Sequence, residues 1–114
     1  MDRMESTRQQ KVGKQIQKDI SDILLKEGAE YVRGTMVSVT VVRVSPDFAL
    51  AKVYVSIFPF EKSQEILGRL QSNAWFFRRA LGQRIRNQIK QIPEVAFFLD
   101  DSMEYVENIE QLLK

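Results

Sequence analysis

The chain of 114 residues contains neither cysteine nor histidine. Without thiols there is no disulfide, no thiolate zinc site and no cysteine nucleophile. Without imidazole the commonest general base and metal ligand is missing. A hydrolase would have to work with carboxylates or lysine. The adjacent pair Asp100-Asp101 finds no third ligand at helical or strand spacing and reads as a helix cap. The expectation is a protein that is not an enzyme and carries no cofactor or metal. Long apolar runs are lacking too: nothing approaches the roughly 20 residues needed to span a bilayer. The polar stretch Met1 to Lys11 has no signal-peptide character. A cytoplasmic protein with no membrane partner is expected. No repeat or low-complexity segment appears. The length suits one domain, 1–114, with a single core. An apolar content of 44% against 28% charged residues is a globular balance.

What the chain does have is a strongly cationic block hidden inside a net charge of only +2. Between Ile66 and Pro93 stand Arg69, Arg78, Arg79, Arg84, Arg86 and Lys90, with no acidic residue. Leu70, Phe77, Leu81, Ile85, Ile89 and Ile92 recur at helical spacings through the same block. The periodicity predicts a basic helix from about Ala74 that Pro93 stops. At about 100° per residue, Arg79, Arg86 and Lys90 fall opposite the apolar stripe, with Arg78 and Arg84 flanking. Arginines facing away from a buried stripe, with no carboxylate among them, call for an anionic partner, and RNA is the natural one.

Ahead of this block, Ser6 or Thr7 with a glutamine three residues on can form a capping box. Val12, Ile16, Ile20 and Ile23 then mark a first helix over 7–26. Arg8, Lys11, Lys14 and Lys18 share a second side of it and could extend the cationic surface. Gly28 and Gly34 bracket the loop that follows. Met36 to Val44 and Ala49 to Phe58 read as an antiparallel hairpin turned by Ser45-Pro46-Asp47-Phe48. Ala51, Val53, Val55 and Ile57 share the buried phase of the second strand, leaving Lys52, Tyr54 and Ser56 on the wet face. In the first strand Val37 and Val39 share a phase that Val42 and Val44 do not, so a bulge is expected near Thr40-Val41.

Ser63 to Gln71 reads as a short helix buried through Ile66, Leu67 and Leu70. Ser72, Asn73, Ala74 and Trp75 form a kink before the basic helix, because serine and asparagine favour helix ends over interiors. Asn73 is expected to cap the helix after it, and Trp75 to pack into the kink rather than serve as a base platform. Gly82, costly inside a helix, suggests a close backbone approach. The apolar run Val95 to Leu99 reads as a third strand. A last helix then opens at Asp101, with Glu104 completing its cap and Met103, Val106, Ile109 and Leu113 on its apolar side. The result is an α+β fold ordered α-β-β-α-kink-α-β-α, with a three-stranded sheet covered by helices on one face.

Several stretches together resemble the bacterial ribosome-binding factor A family over nearly the whole chain. They are Val44-Ser45-Pro46-Asp47, Ala51-Lys52-Val53-Tyr54-Val55-Ser56, Phe77-Arg78 with Leu81-Gly82, Ile92-Pro93-Glu94-Val95, Phe98-Leu99-Asp100-Asp101-Ser102 and Leu112-Leu113. The resemblance implies a single KH-like domain of type II in which a kink between two helices replaces the Gly-x-x-G loop. It also implies binding to the small (30S) ribosomal subunit and its rRNA, with help to late 16S rRNA maturation, notably in the cold. Two departures stand out: the family's Ala-x-Gly pattern at the kink is here Asn73-Ala74-Trp75, without glycine, and the stretch from Gly82 to Pro93 looks about one half-turn longer than in better-known members. The free protein is expected to be a monomer. The competing reading is a protein-interaction module that uses the acidic C-terminal helix or an open sheet edge.

Overall fold

The computed structural model describes residues 5–100. The expected C-terminal helix, with its cap at Asp101 and Glu104, lies outside the described residues.

Helix α1 spans Thr7–Leu25 and starts at Ser6, whose hydroxyl accepts from the Gln9 amide while the Gln9 side chain accepts from the Ser6 amide. The same Gln9 is buried and donates through Nε2 to the Val44 carbonyl at 2.8 Å. One glutamine therefore completes the cap and fastens the helix to the end of the first strand. Ile16, Ile20 and Ile23 are fully buried on the inward face. Strands β1 (Met36–Val44) and β2 (Leu50–Phe58) form the antiparallel hairpin. Their register shifts between Val39 and Val41, which places the bulge at Thr40 and brings Val39, Val42 and Val44 to one buried side. A single turn of 3-10 helix, Ala29–Val32, fills the loop between Gly28 and Gly34.

Helix α2 spans Ser63–Ser72, α3 spans Ala74–Ile85, and β3 spans Glu94–Leu99. β3 pairs parallel with β2, opposing Val95 to Ala51 and Phe97 to Val53, so the sheet order is β1-β2-β3. Two strands that run the same way need a crossover, and the broken pair α2–α3 supplies it. All three helices lie on the face bearing Ala51, Val53, Val55 and Ile57. The other face presents Lys52 and a stacked pair, Tyr54 and Phe98, with ring centroids 5.6 Å apart.

Three expectations need correction. The basic helix ends at Ile85, not at Pro93. Ile89 is nonetheless buried, and Ile92 packs against Gly82. The periodicity identified the inward side chains, but the last two, buried Ile89 and partly buried Ile92, come from irregular backbone after the helix. The chain has to reverse here to enter β3, and Pro93 keeps Ile92 out of the helical region. Gly82 admits no backbone; a Cβ there would meet Ile92 Cγ1 at an ordinary 3.4 Å. Asn73 makes no side-chain cap on α3. Its Nδ2 donates backwards to the Arg69 carbonyl at 2.8 Å, closing the end of α2.

The close backbone approach is at Gly13 instead. A Cβ there would stand 2.7 Å from the Val42 carbonyl oxygen, so only glycine lets α1 lie directly on β1. Gly13→Ala should destabilise the fold by about 1–3 kcal/mol, the usual scale of overpacking. Gly82→Ala should be neutral or stabilising by up to about 1 kcal/mol from helix propensity. Urea midpoints of the two variants, measured side by side, check the contrast.

Candidate nucleic-acid interface

The break at Asn73 places the start of α3 on the surface. Phe77, Leu81 and Ile85 turn inward and are fully buried. Trp75 and Arg79 therefore point out. Trp75 is 61% exposed, so it is not packed into the kink; its expected place in the core is overturned. The space expected for it belongs to Phe76, which sits edge-on to Tyr31 at 5.2 Å and to Phe77 at 5.3 Å. Beside Trp75 lies a groove of about 400 Å³, lined by Glu27, Trp75, Phe76, Arg79, Ala80 and Gln83. A smaller hollow of about 200 Å³ on the strand side is also lined by Trp75, together with Arg78 and Val95.

The six cations of the block part ways. Arg84 is only 23% exposed and reaches across to α1, where its Nη2 donates to Asp22 Oδ2 at 2.9 Å and to Glu27 at 3.0 Å. It is not a free phosphate ligand. Its guanidinium is pushed further up by Glu27 and then by Asp22. In return Arg84, with Lys26 beside it, holds the Asp22 carboxyl below its ordinary value of 3.8. Arg69 is also tied up, by Glu65 one turn earlier at 2.6 Å, an exposed pair of little energetic weight. Arg78 is exposed and donates to the Ile92 carbonyl at 2.9 Å, which holds the turn after α3 against the helix.

Arg79, Arg86 and Lys90 are exposed, and among the described residues none has a carboxylate partner. Arg86, the helical C-cap seven residues after Arg79, stays on the same row, but Lys90 lies beyond the helix end and leaves that face. On α1, Arg8, Lys11, Lys14 and Lys18 are all exposed. Lys11 and Lys18 fall on the same helical row as Asp22, so this row runs up to the Arg84 bridge that joins α1 to α3. Arg8 also covers the Phe48 ring at 4.9 Å, a cation–π contact. Ser72 closes α2, and Ala74 opens α3. Among the described residues no three carboxylates gather as a metal site would require.

Sequence reasoning missed Asp22 and Glu27, the partners of Arg84, and the groove residues Phe76 and Gln83. Asp22 and Glu27 lie 62 and 57 positions from Arg84, which no local spacing reveals.

An α-β-β-α-α-β arrangement with a mixed three-stranded sheet, and a helix break in place of a glycine loop, defines a KH-like domain of type II. A family model described as ribosome-binding factor A matches residues 8–113. The chain belongs to the ribosome-binding factor A family. It is 42% identical over 111 residues to ribosome-binding factor A of Flavobacterium psychrophilum, covering 96% of this chain and 85% of that one. The crystal structure of ribosome-binding factor A from Thermus thermophilus superposes with a TM-score of 0.68 at 20% identity, over 80% of this chain and 94% of that one. The Thermus thermophilus factor as fitted into a cryo-EM map of a 30S complex matches with a TM-score of 0.60 at 21% identity, over 77% and 90% of the two chains.

The Arg84 bridge predicts a pH signature. Asp22 is held below its unfolded value by Arg84, so its contribution is present above pH 3.8 and is lost as pH falls through the lowered value. Arg84→Met keeps the packed stem and removes the charge. It should lower the urea midpoint at neutral pH, and its deficit against the parent should shrink on acidification below the ordinary carboxylate range.

Proposed function

We propose that this protein is a non-catalytic assembly factor that binds the small (30S) ribosomal subunit and assists late maturation of 16S rRNA, with a role in growth in the cold. Family membership supports the reading, and so does the shared fold of the Thermus thermophilus factor fitted into a 30S complex. The observation that carries it for this chain is the set of exposed cations without acidic partners among the described residues: Arg79, Arg86 and Lys90 after the break, and Lys11, Lys14 and Lys18 on α1. The mechanism is positional. Phosphate contacts fix the orientation of the domain on a folded RNA, and the broken helix pair gives the surface its shape. Each neutralised phosphate releases counterions, so affinity falls with salt. No cofactor takes part, and the factor acts as a cytoplasmic monomer with no membrane partner.

Arg84 is excluded from the phosphate set, which separates this reading from a simple count of basic residues. Co-sedimentation with small subunits across a potassium chloride series provides the test. The triple variant Arg79→Glu, Arg86→Glu, Lys90→Glu should lose affinity on the order of 100-fold and flatten the salt slope by about one per cation removed. Arg84→Met should bind within about threefold of the parent, because its charge is already spent inside the fold. Binding by the triple variant equal to that of the parent would shift the assignment to a protein-interaction module.

A further inference from the structure

Trp75 is an exposed indole lining a groove, and among the described residues its ring contact with Phe76 does not account for that exposure. Its nearest ring is Phe76, at 6.1 Å between centroids and 89° between planes. The two rings thus make a right-angled corner, with Trp75 as one wall and the half-buried Phe76 as the other. A flat ring laid parallel to Trp75 would meet Phe76 in the same perpendicular arrangement that Trp75 itself adopts. Aromatic rings favour both geometries, stacked on one neighbour and edge-to-face on the other. The corner therefore fits one planar heteroaromatic group.

The rest of the groove limits what that group can be. Arg79 follows Trp75 by one helical turn on the same side and makes no ion pair among the described residues. The one carboxylate lining the groove, Glu27, is held by Arg84 at 3.0 Å and is already neutralised. A polar edge is available from the Gln83 amide, which both donates and accepts. An apolar corner with a free cation at its rim and an amide along its side suits a ring joined to an anion, not a bare apolar side chain.

From this geometry we propose that the groove beside Trp75 is a pocket for one unpaired RNA base. The base stacks on the indole, Gln83 meets its polar edge, and Arg79 takes the adjoining phosphate. The proposal rests on the RNA-binding reading above and adds to it a single-stranded element in the target, since a paired base cannot expose its face. Gln83 and Arg79 act as positioning residues for a base that the indole holds.

The molecule carries its own reporter, because Trp75 is the only tryptophan in the chain. The full-length protein is titrated with a short oligoadenylate, with the same oligomer bearing abasic sites, and with a duplex RNA, following indole fluorescence at low salt. The oligoadenylate should quench the emission, while the abasic oligomer and the duplex bind through phosphates and leave it nearly unchanged. Trp75→Ala should weaken oligoadenylate binding about tenfold, the usual scale for one stacked base, and Trp75→Phe should restore most of the loss. Both variants should match the parent in duplex binding and in urea midpoint, since the residue is exposed. Equal quenching by the abasic oligomer, or undiminished oligoadenylate affinity in Trp75→Ala, overturns the pocket. If at the same time Arg79→Glu, Arg86→Glu, Lys90→Glu still weakens subunit binding on the order of 100-fold, the RNA-binding reading stands without the pocket. Quenching by protein extracted from small subunits, but by none of the RNAs, overturns it in favour of a protein partner.

Discussion

Phe77 fixes the orientation of the surface on which this reading depends. Its ring is fully buried and touches Tyr31, Phe76 and Phe97 at centroid distances of 5.7, 5.3 and 5.2 Å. It thereby joins α3 to β3 and to the short helix after α1. The fit is close enough that a Cβ at Gly28 would stand 2.9 Å from Phe77 Cε1. Once Phe77 points inward, helical geometry leaves little freedom. Leu81 and Ile85 follow it into the core at successive turns, while Trp75 and Arg79, two residues to either side, land about 160° away from it. The exposure of Trp75 and Arg79 follows from the anchoring of one phenylalanine.

The charges are divided between holding the fold and facing solvent. Arg84 is partly buried and grips carboxylates from α1 and the turn after it, which fastens the end of α3 to the end of α1. Arg78 donates to a backbone carbonyl but keeps its charge, and Arg69 is held in a weak pair with Glu65. Among the described residues, no carboxylate pairs with Arg79 beside the groove, with Arg86 and Lys90 after it, or with the lysine row of α1. The first turn of α3 contains no acidic residue, so the positive pole of its backbone dipole adds to Arg78 and Arg79.

Much of the fold was legible because it is written in local chemistry. The capping box at Ser6 and Gln9 needs only a hydroxyl and an amide three residues apart. The bulge at Thr40 was readable because the valine alternation of β1 changes phase there, and an extra residue is the one way a strand can do so. The end of α3 was not readable. Ile89 and Ile92 keep helical spacing and do reach the core, but they do so from irregular backbone, since β3 must begin alongside β2. The site was less legible than the fold. The role of Arg84 depends on Asp22 and Glu27, which tertiary structure alone brings near. Trp75 is illegible for a related reason: an aromatic near a kink is usually core, but tertiary packing gives that space to Phe76.

Unopposed cations cost the free protein some stability through mutual repulsion, and their spacing shows how that cost is kept small. Arg79 and Arg86 are seven residues apart, about 10 Å along the helix axis, somewhat more than the Debye length of about 8 Å at physiological salt. At that separation the surrounding ions screen most of the repulsion between these two, which needs no carboxylate from among the described residues. Arg84 lies between them in sequence, five residues from one and two from the other, and is the member of the series that the fold neutralises. Had it also been left free, the end of α3 would concentrate positive charge within a single turn and lose its attachment to α1. Pairing the inner arginine and exposing the outer ones satisfies both demands. The screening that makes the exposed cations tolerable is the same screening a bound phosphate would displace, so stability of the free domain and salt sensitivity of the proposed complex would have one origin.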